Sequence, residues 1–131
     1  MFDILSGLKS YFVENGVDCP IFYEYENTYN SCLFIINASN NESKSAQNLT
    51  YKHIANIGLI TRFADQATAK KNLEFVHSLL TEYSGVLVDE YNNRGIVQYV
   101  EVLNSPQFNA VNNFKDSKQY SSQYNFNYLT H

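Results

Sequence analysis

Between Gln119 and Tyr128 the chain alternates without a break. Tyr120, Ser122, Tyr124, Phe126 and Tyr128 fall on one side, and Gln119, Ser121, Gln123, Asn125 and Asn127 on the other. Successive strand side chains point to opposite faces, so this period predicts an antiparallel strand with one dry face and one wet face. A helix does not fit it, because a helical stripe returns every three to four residues. The chain must therefore build a sheet and cover one side of it.

Two segments have the period to supply that cover. Phe2 to Glu14 carries Leu5, Leu8 and Phe12 on one stripe, widened by Ile4 and Tyr11. Asp3 favours its start, Asn15-Gly16 its stop, and Pro20 lies beyond. Gln66 to about Tyr83 carries Leu73, Val76, Leu80 and Tyr83, with Phe75 and Leu79 beside them and Lys70 and Lys71 opposite. Asp65 is placed to cap it, and Ser84-Gly85 to end it.

The remaining apolar segments read as strands. Ile21 to Glu26 alternates. Cys32 to Asn37 opens on an apolar run suited to burial on both faces, and turn residues Asn27 to Asn30 join the two as a hairpin. His53 to Phe63 places Ala55, Ile57, Leu59, Thr61 and Phe63 together. A short apolar stretch, Val86 to Val88, and the turn Asn92 to Gly95 lead into Ile96 to Leu103, which stops at Asn104-Ser105-Pro106. The predicted class is α+β, one domain over residues 1–131, with a mostly antiparallel sheet and two helices packed on one face.

Two stretches resist this scheme. Ala38 to Thr50 and Gln107 to Ser117 are polar and Asn-rich, cannot repay the entropy of packing, and are expected to be long exposed loops. Their polar side chains make them candidate partner contacts. The residues singled out are Asn40, Glu42, Lys44 and Gln47 in the first loop and Asn92 and Arg94 in the intervening turn. Asn112, Lys115, Asp116 and Lys118 belong to the second loop and its end. Deleting either loop is expected to leave a folded domain.

Charge narrows the partners. Nine basic residues against 13 acidic ones give a formal charge of −4, with no block of like charge, which opposes specific nucleic-acid binding. No apolar run approaches the roughly 20 residues of a membrane span, and the first residues lack a signal-peptide pattern, so a cytosolic chain with reduced Cys19 and Cys32 is expected.

A search for chemistry finds little. His53, His77 and His131 have no Cys or carboxylate at metal-site spacings; Glu74 before His77 reads as a solvated helix face. Glu24 and Glu26 share one strand face but alternate with Tyr23 and Tyr25, which makes them a wetted surface rather than an acid/base pair. No GxSxG elbow, phosphate loop or Cys–His pair occurs. No cofactor, metal or catalysis is expected. Tyr120 to Tyr128 has no Lys or Arg to accompany base stacking, and a core face is the simpler assignment.

Three stretches carry a family likeness. They are Ile21-Phe22-Tyr23-Glu24-Tyr25; Ile57-Gly58-Leu59-Ile60-Thr61-Arg62-Phe63 with the helix after it; and Asn104-Ser105-Pro106 followed by Tyr124-Asn125-Phe126-Asn127-Tyr128. The chain resembles the tail terminator (minor capsid) proteins of siphophages infecting Gram-positive bacteria, over nearly its whole length. It departs from them in lacking a Pro-Asp first turn and in the Gly-Leu at position 58. The resemblance implies a homohexameric ring that caps the tail tube, ends its polymerisation and docks to the head–tail connector. Its partners would be itself, the tube protein and the connector, in the host cytoplasm during assembly and then in the virion tail. The alternatives are another phage neck or head-completion protein, or a ligand-binding module that uses the aromatic sheet.

Overall fold

The computed structural model describes residues 1–25, 30–44, 49–109 and 117–131, and for Lys44 the backbone alone. Its elements in chain order are α1 (Ile4–Glu14), β1 (Ile21–Phe22), β2 (Cys32–Lys44), β3 (Tyr51–Phe63), α2 (Gln66–Leu80), β4 (Gly85–Val88), β5 (Arg94–Asn109) and β6 (Lys118–Thr130). The strands form one six-stranded sheet in the order β1-β2-β3-β6-β5-β4, in which only β1 and β2 run parallel.

The alternation of β6 sets the layers. Tyr120, Ser122, Tyr124, Phe126 and Tyr128 are all buried, and they continue across the sheet into Ala55, Ile57 and Leu59 of β3 and Leu33 and Ile35 of β2. Leu8 and Phe12 of α1 and Leu73, Val76 and Leu80 of α2 pack with them in one core cluster, so both helices lie on the same face. The fold is α+β, as the periodicity requires. With its aromatic row beneath the helices, β6 offers no exposed aromatic platform for a ligand.

Local chemistry explains the helix ends. The Asp3 carboxylate accepts from the Leu5 N–H at 3.1 Å, and that of Asp65 from the Thr68 N–H at 3.0 Å, satisfying donors with no partner inside the helix. Gly16, at φ +100°, releases the chain after α1. The second helix stops at Leu80 rather than near Tyr83. Thr81 turns extended and returns its hydroxyl to the His77 carbonyl, and Glu82 adopts φ 59°.

Four readings of the sequence are corrected. Ile21 to Glu26 does not form a hairpin with Cys32 to Asn37. β1 pairs parallel to β2 through Ile21–Leu33 and Phe22–Phe34, and the chain then leaves the sheet edge so that Tyr25 covers Arg62. Ala38 to Lys44 is strand, not loop: after a register shift between Asn37 and Ser39 it pairs with β3 as far as Lys44–Tyr51. Ladder hydrogen bonds need no apolar side chains where both faces are wet. Excising Ala38 to Thr50 would therefore remove a large part of β2 rather than a dispensable loop. Nor does β5 stop at Leu103. It runs to Asn109, and its register shift between Asn104 and Gln107 leaves Ser105 and Pro106 outside the ladder, where proline needs no N–H partner. Gly85 to Val88 is a true strand, paired with β5. Residues 110–116, within the second expected loop, lie outside the described residues.

The helix-free face is built differently. Asn104 donates to Gln123 (3.2 Å), Gln123 to Asn56 (2.7 Å), Asn56 to Asn125 (3.3 Å) and Asn125 to Glu101 (3.2 Å), a chain of side-chain hydrogen bonds across β5, β6 and β3. At one end of this face Arg62 is 0% exposed, its guanidinium 4.6 Å from the Tyr25 ring centroid and 5.4 Å from that of Phe34. It donates to Gln119 Oε1 from Nε at 2.9 Å and to the Tyr25 hydroxyl. No helix among the described residues is long and apolar enough to cross a membrane.

Candidate functional site: a cleft and a turn at one end of the sheet

On the helix-covered face, the sheet runs on past the helices at the end where β2 finishes and β5 begins. There lies a cleft of about 480 Å³ whose walls include Phe2, Glu42, Tyr51, His53, Arg94 and Tyr128. His53 is its centre. The His53 ring stacks on Tyr128 at 4.7 Å and 8°, and its Nε2 lies 2.8 Å from Thr130 Oγ1. Its Nδ1 lies 3.4 Å from Glu42 Oε2, so a protonated ring donates there to a carboxylate. The ring of Phe2 meets Tyr128 edge-on at 5.6 Å. Burial, with Glu42 and Asp3 adding to it, pushes the Tyr128 phenol up to about 12, so this wall stays uncharged.

The cleft is bordered by the turn between β4 and β5, which Asp89 organises. Asp89 is buried, and its carboxylate accepts from the N–H groups of Tyr91 (2.9 Å), Asn93 (2.8 Å) and Asp3 (2.8 Å). Its own N–H donates to the Asn93 carbonyl at 2.9 Å, and Asn92 takes φ 65°. Burial opposes the charge, but these backbone hydrogen bonds and one from the Asn93 side chain outweigh it and hold the carboxyl below its ordinary value. A depressed folded-state pKa gives stability that is present above the unfolded value of about 3.9 and lost as pH falls through the folded value. We therefore expect this turn to loosen in acid before the sheet does. The check is the amide signals of Tyr91 and Asn93 followed by NMR from pH 7 to pH 2; amides that move only with global unfolding would contradict it.

The turn holds Tyr91 outward, 73% exposed. A large aromatic ring in water on a backbone fixed by hydrogen bonds has already lost the freedom that binding would otherwise cost.

The residues picked from the sequence fall in several places. Asn40, Glu42 and Arg94 line the cleft, and Asn92 lies in the adjoining turn. The backbone of Lys44 ends β2 opposite Tyr51, whereas Lys118 lies at the far end of the sheet, paired with Phe63. Gln47, Asn112, Lys115 and Asp116 lie outside the described residues. The fold also brings His53 and His131 to one cleft although they are distant in sequence. Spacing rules could not have found His53, Tyr128, Thr130 or Tyr91; the signal that existed was the matched alternation of β3 and β6.

Other chemistry-bearing groups are occupied structurally. His77 Nδ1 lies 2.7 Å from the Tyr124 hydroxyl, which donates to Ser122 Oγ at 2.9 Å. Tyr124 and Ser122 are buried, so this chain braces α2 against β6 and offers no hydroxyl to a substrate. Glu24 is exposed, and Glu26 lies outside the described residues. Among the described residues no group of three His, Cys, Asp or Glu side chains is placed to hold a metal. Cys19 and Cys32 are free, and burial pushes the Cys32 thiol up to about 11.

Among known proteins, no family model and no curated sequence matches the chain.

Proposed function

We propose that this chain is a ring-forming structural subunit of a phage tail, a tail terminator that caps the tube, ends its growth and presents a face to the head–tail connector. The observation that carries this reading is the pair of long strand edges on opposite sides of one sheet. β1 covers β2 only at Leu33 and Phe34, leaving Ile35 to Lys44 without a strand partner on the side away from β3 among the described residues. β4 covers β5 only from Arg94 to Val97, leaving Gln98 to Ser105 in the same condition before Pro106 interrupts the edge. The register shifts in both strands turn such edges away from straight strands and leave them to a folded partner of matching shape. Two different edges on opposite flanks suit a head-to-tail contact, which closes into a ring when its rotation permits.

The likeness of Ile21 to Tyr25, Ile57 to Phe63, and Asn104 to Pro106 with Tyr124 to Tyr128, to tail terminators gives the ring its setting. Its partners are then further copies of itself, the tube protein and the connector, and no cofactor enters. Electron microscopy of the purified protein, alone and mixed with tail tubes, tests the reading. We expect closed rings, six-fold when counted, seated on tube ends that no longer elongate. Virions assembled normally without this chain would overturn the assignment.

The cleft itself favours one other reading, a small-ligand binding module. That would require a protein that stays monomeric and gains thermal stability with a small molecule.

A further inference from the structure

We infer that Tyr91, at the tip of the β4–β5 turn, is the anchor of self-association, and that it seats in the cleft beside His53 and Tyr128 of the adjacent copy. This rests on the ring reading and names the contact that reading lacks.

Position comes first. Lys44 pairs with Tyr51, Tyr51 with Thr130, and the neighbouring Leu129 with Ile96. The end of β2 and the start of β5 therefore lie at the same end of the sheet. The sheet order puts β4 and β5 on one flank and β2 on the other. A second copy set flank to flank, with its β5 edge along the open edge of β2, brings its β4–β5 turn alongside Asn40 and Glu42, the β2 side of the cleft. The knob and the β2 wall of the hole thus lie at the same end of the sheet on opposite flanks, as a head-to-tail contact demands.

Chemistry agrees with position. The incoming ring would meet His53, Tyr51 and Tyr128, a wall suited to offset or edge-on stacking. Its hydroxyl would donate to Glu42, whose side chain is 50% exposed and keeps acceptor capacity beyond its approach to His53. Arg94 of the receiving copy lines the same cleft and offers the incoming ring a guanidinium as well. Interface anchors are enriched in Tyr and Arg, and rigid presentation lowers the cost of seating them.

The test compares the full chain with Tyr91→Ala by native mass spectrometry and electron microscopy across a concentration series. A third protein, Tyr91→Cys with Asn40→Cys in a Cys19→Ser background, is oxidised and run on a denaturing gel. Circular dichroism and thermal melting confirm that each variant folds, which the exposure of Tyr91 favours. We expect Tyr91→Ala to raise the concentration needed for rings by about 30-fold or more, the effect of losing a hot spot of about 2 kcal/mol. The cysteine pair should give a ladder of cross-linked species ending at the ring size. Rings that persist unchanged in Tyr91→Ala, with no ladder, would overturn this contact and leave the ring reading standing. A wild-type chain that remains monomeric throughout, with no ladder, would overturn both.

Discussion

Arg62→Ala is expected to lower the unfolding free energy by about 3–5 kcal/mol, the range for truncating a large, fully buried side chain. The loss has three parts. The guanidinium packs against the Tyr25 and Phe34 rings, 4.6 and 5.4 Å from their centroids, while the rings touch each other at 5.2 Å, so removing it forfeits two cation–π contacts and leaves a void. Gln119, 2% exposed, loses the two guanidinium donors to its Oε1 and keeps the Tyr25 hydroxyl. Tyr25 loses the guanidinium at its ring and hydroxyl, which leaves its 2.7 Å hydrogen bond to Gln119 to hold the segment after β1 on the sheet. Lysine should restore little, because an ammonium lacks the planar fork that packs on these rings while donating sideways to an amide. Urea titration of the three proteins measures this. A stability within about 1 kcal/mol of wild type for Arg62→Ala would show that Tyr25, Phe34 and Gln119 hold this corner without it.

Tyr124→Ala should be comparably damaging, at about 3–5 kcal/mol, for a different reason. Tyr124 is 0% exposed at the centre of β6, beneath α2, and its ring fills space that no flexible neighbour can reclaim. Tyr124→Phe separates the volume from the hydroxyl. It keeps the ring and gives up the contacts with His77 and Ser122, at an expected cost of about 1–2 kcal/mol. A cycle combining Tyr124→Phe with His77→Ala should show coupling of at least about 0.5 kcal/mol, because the two share one hydrogen bond. Strict additivity would mean that α2 is held by its apolar stripe alone.

What could be read in advance, and what could not, divides along physical lines. The alternation in β6 and in Ala55 to Phe63, and the carboxylates of Asp3 and Asp65 before their helices, are local signals, and each appears in the structure where the residues placed it. Strands that draw nothing from apolar side chains were invisible. Ala38 to Lys44 is held by its ladder to β3, and nothing in its composition announces that. Proline at position 106 reads as an end, but on an outer strand with shifted register it is only an interruption. The parallel step from Ile21 to Leu33 was hidden because Tyr25 is drawn to Arg62, a residue far away in the chain. The cleft needed all of this at once. Phe2, Glu42, His53, Arg94 and Tyr128 come from five separate segments, and only the registers of β2, β3, β5 and β6 place them together. Of the residues chosen for being polar and in a loop, Asn40, Glu42 and Arg94 reached the cleft because the strands carrying them end there.

The irregular course of β5 bears on which neighbours can bind. Its ladder to β6 slips after Val97, after Val102 and again after Asn104. Each slip bends a strand and adds local twist. A straight extended peptide laid against this contour would find its amides out of step within a few residues, so misfolded chains and foreign strands are poor matches. A companion carrying complementary kinks has no such difficulty. The ragged flank thus guards the free molecule against fibril growth.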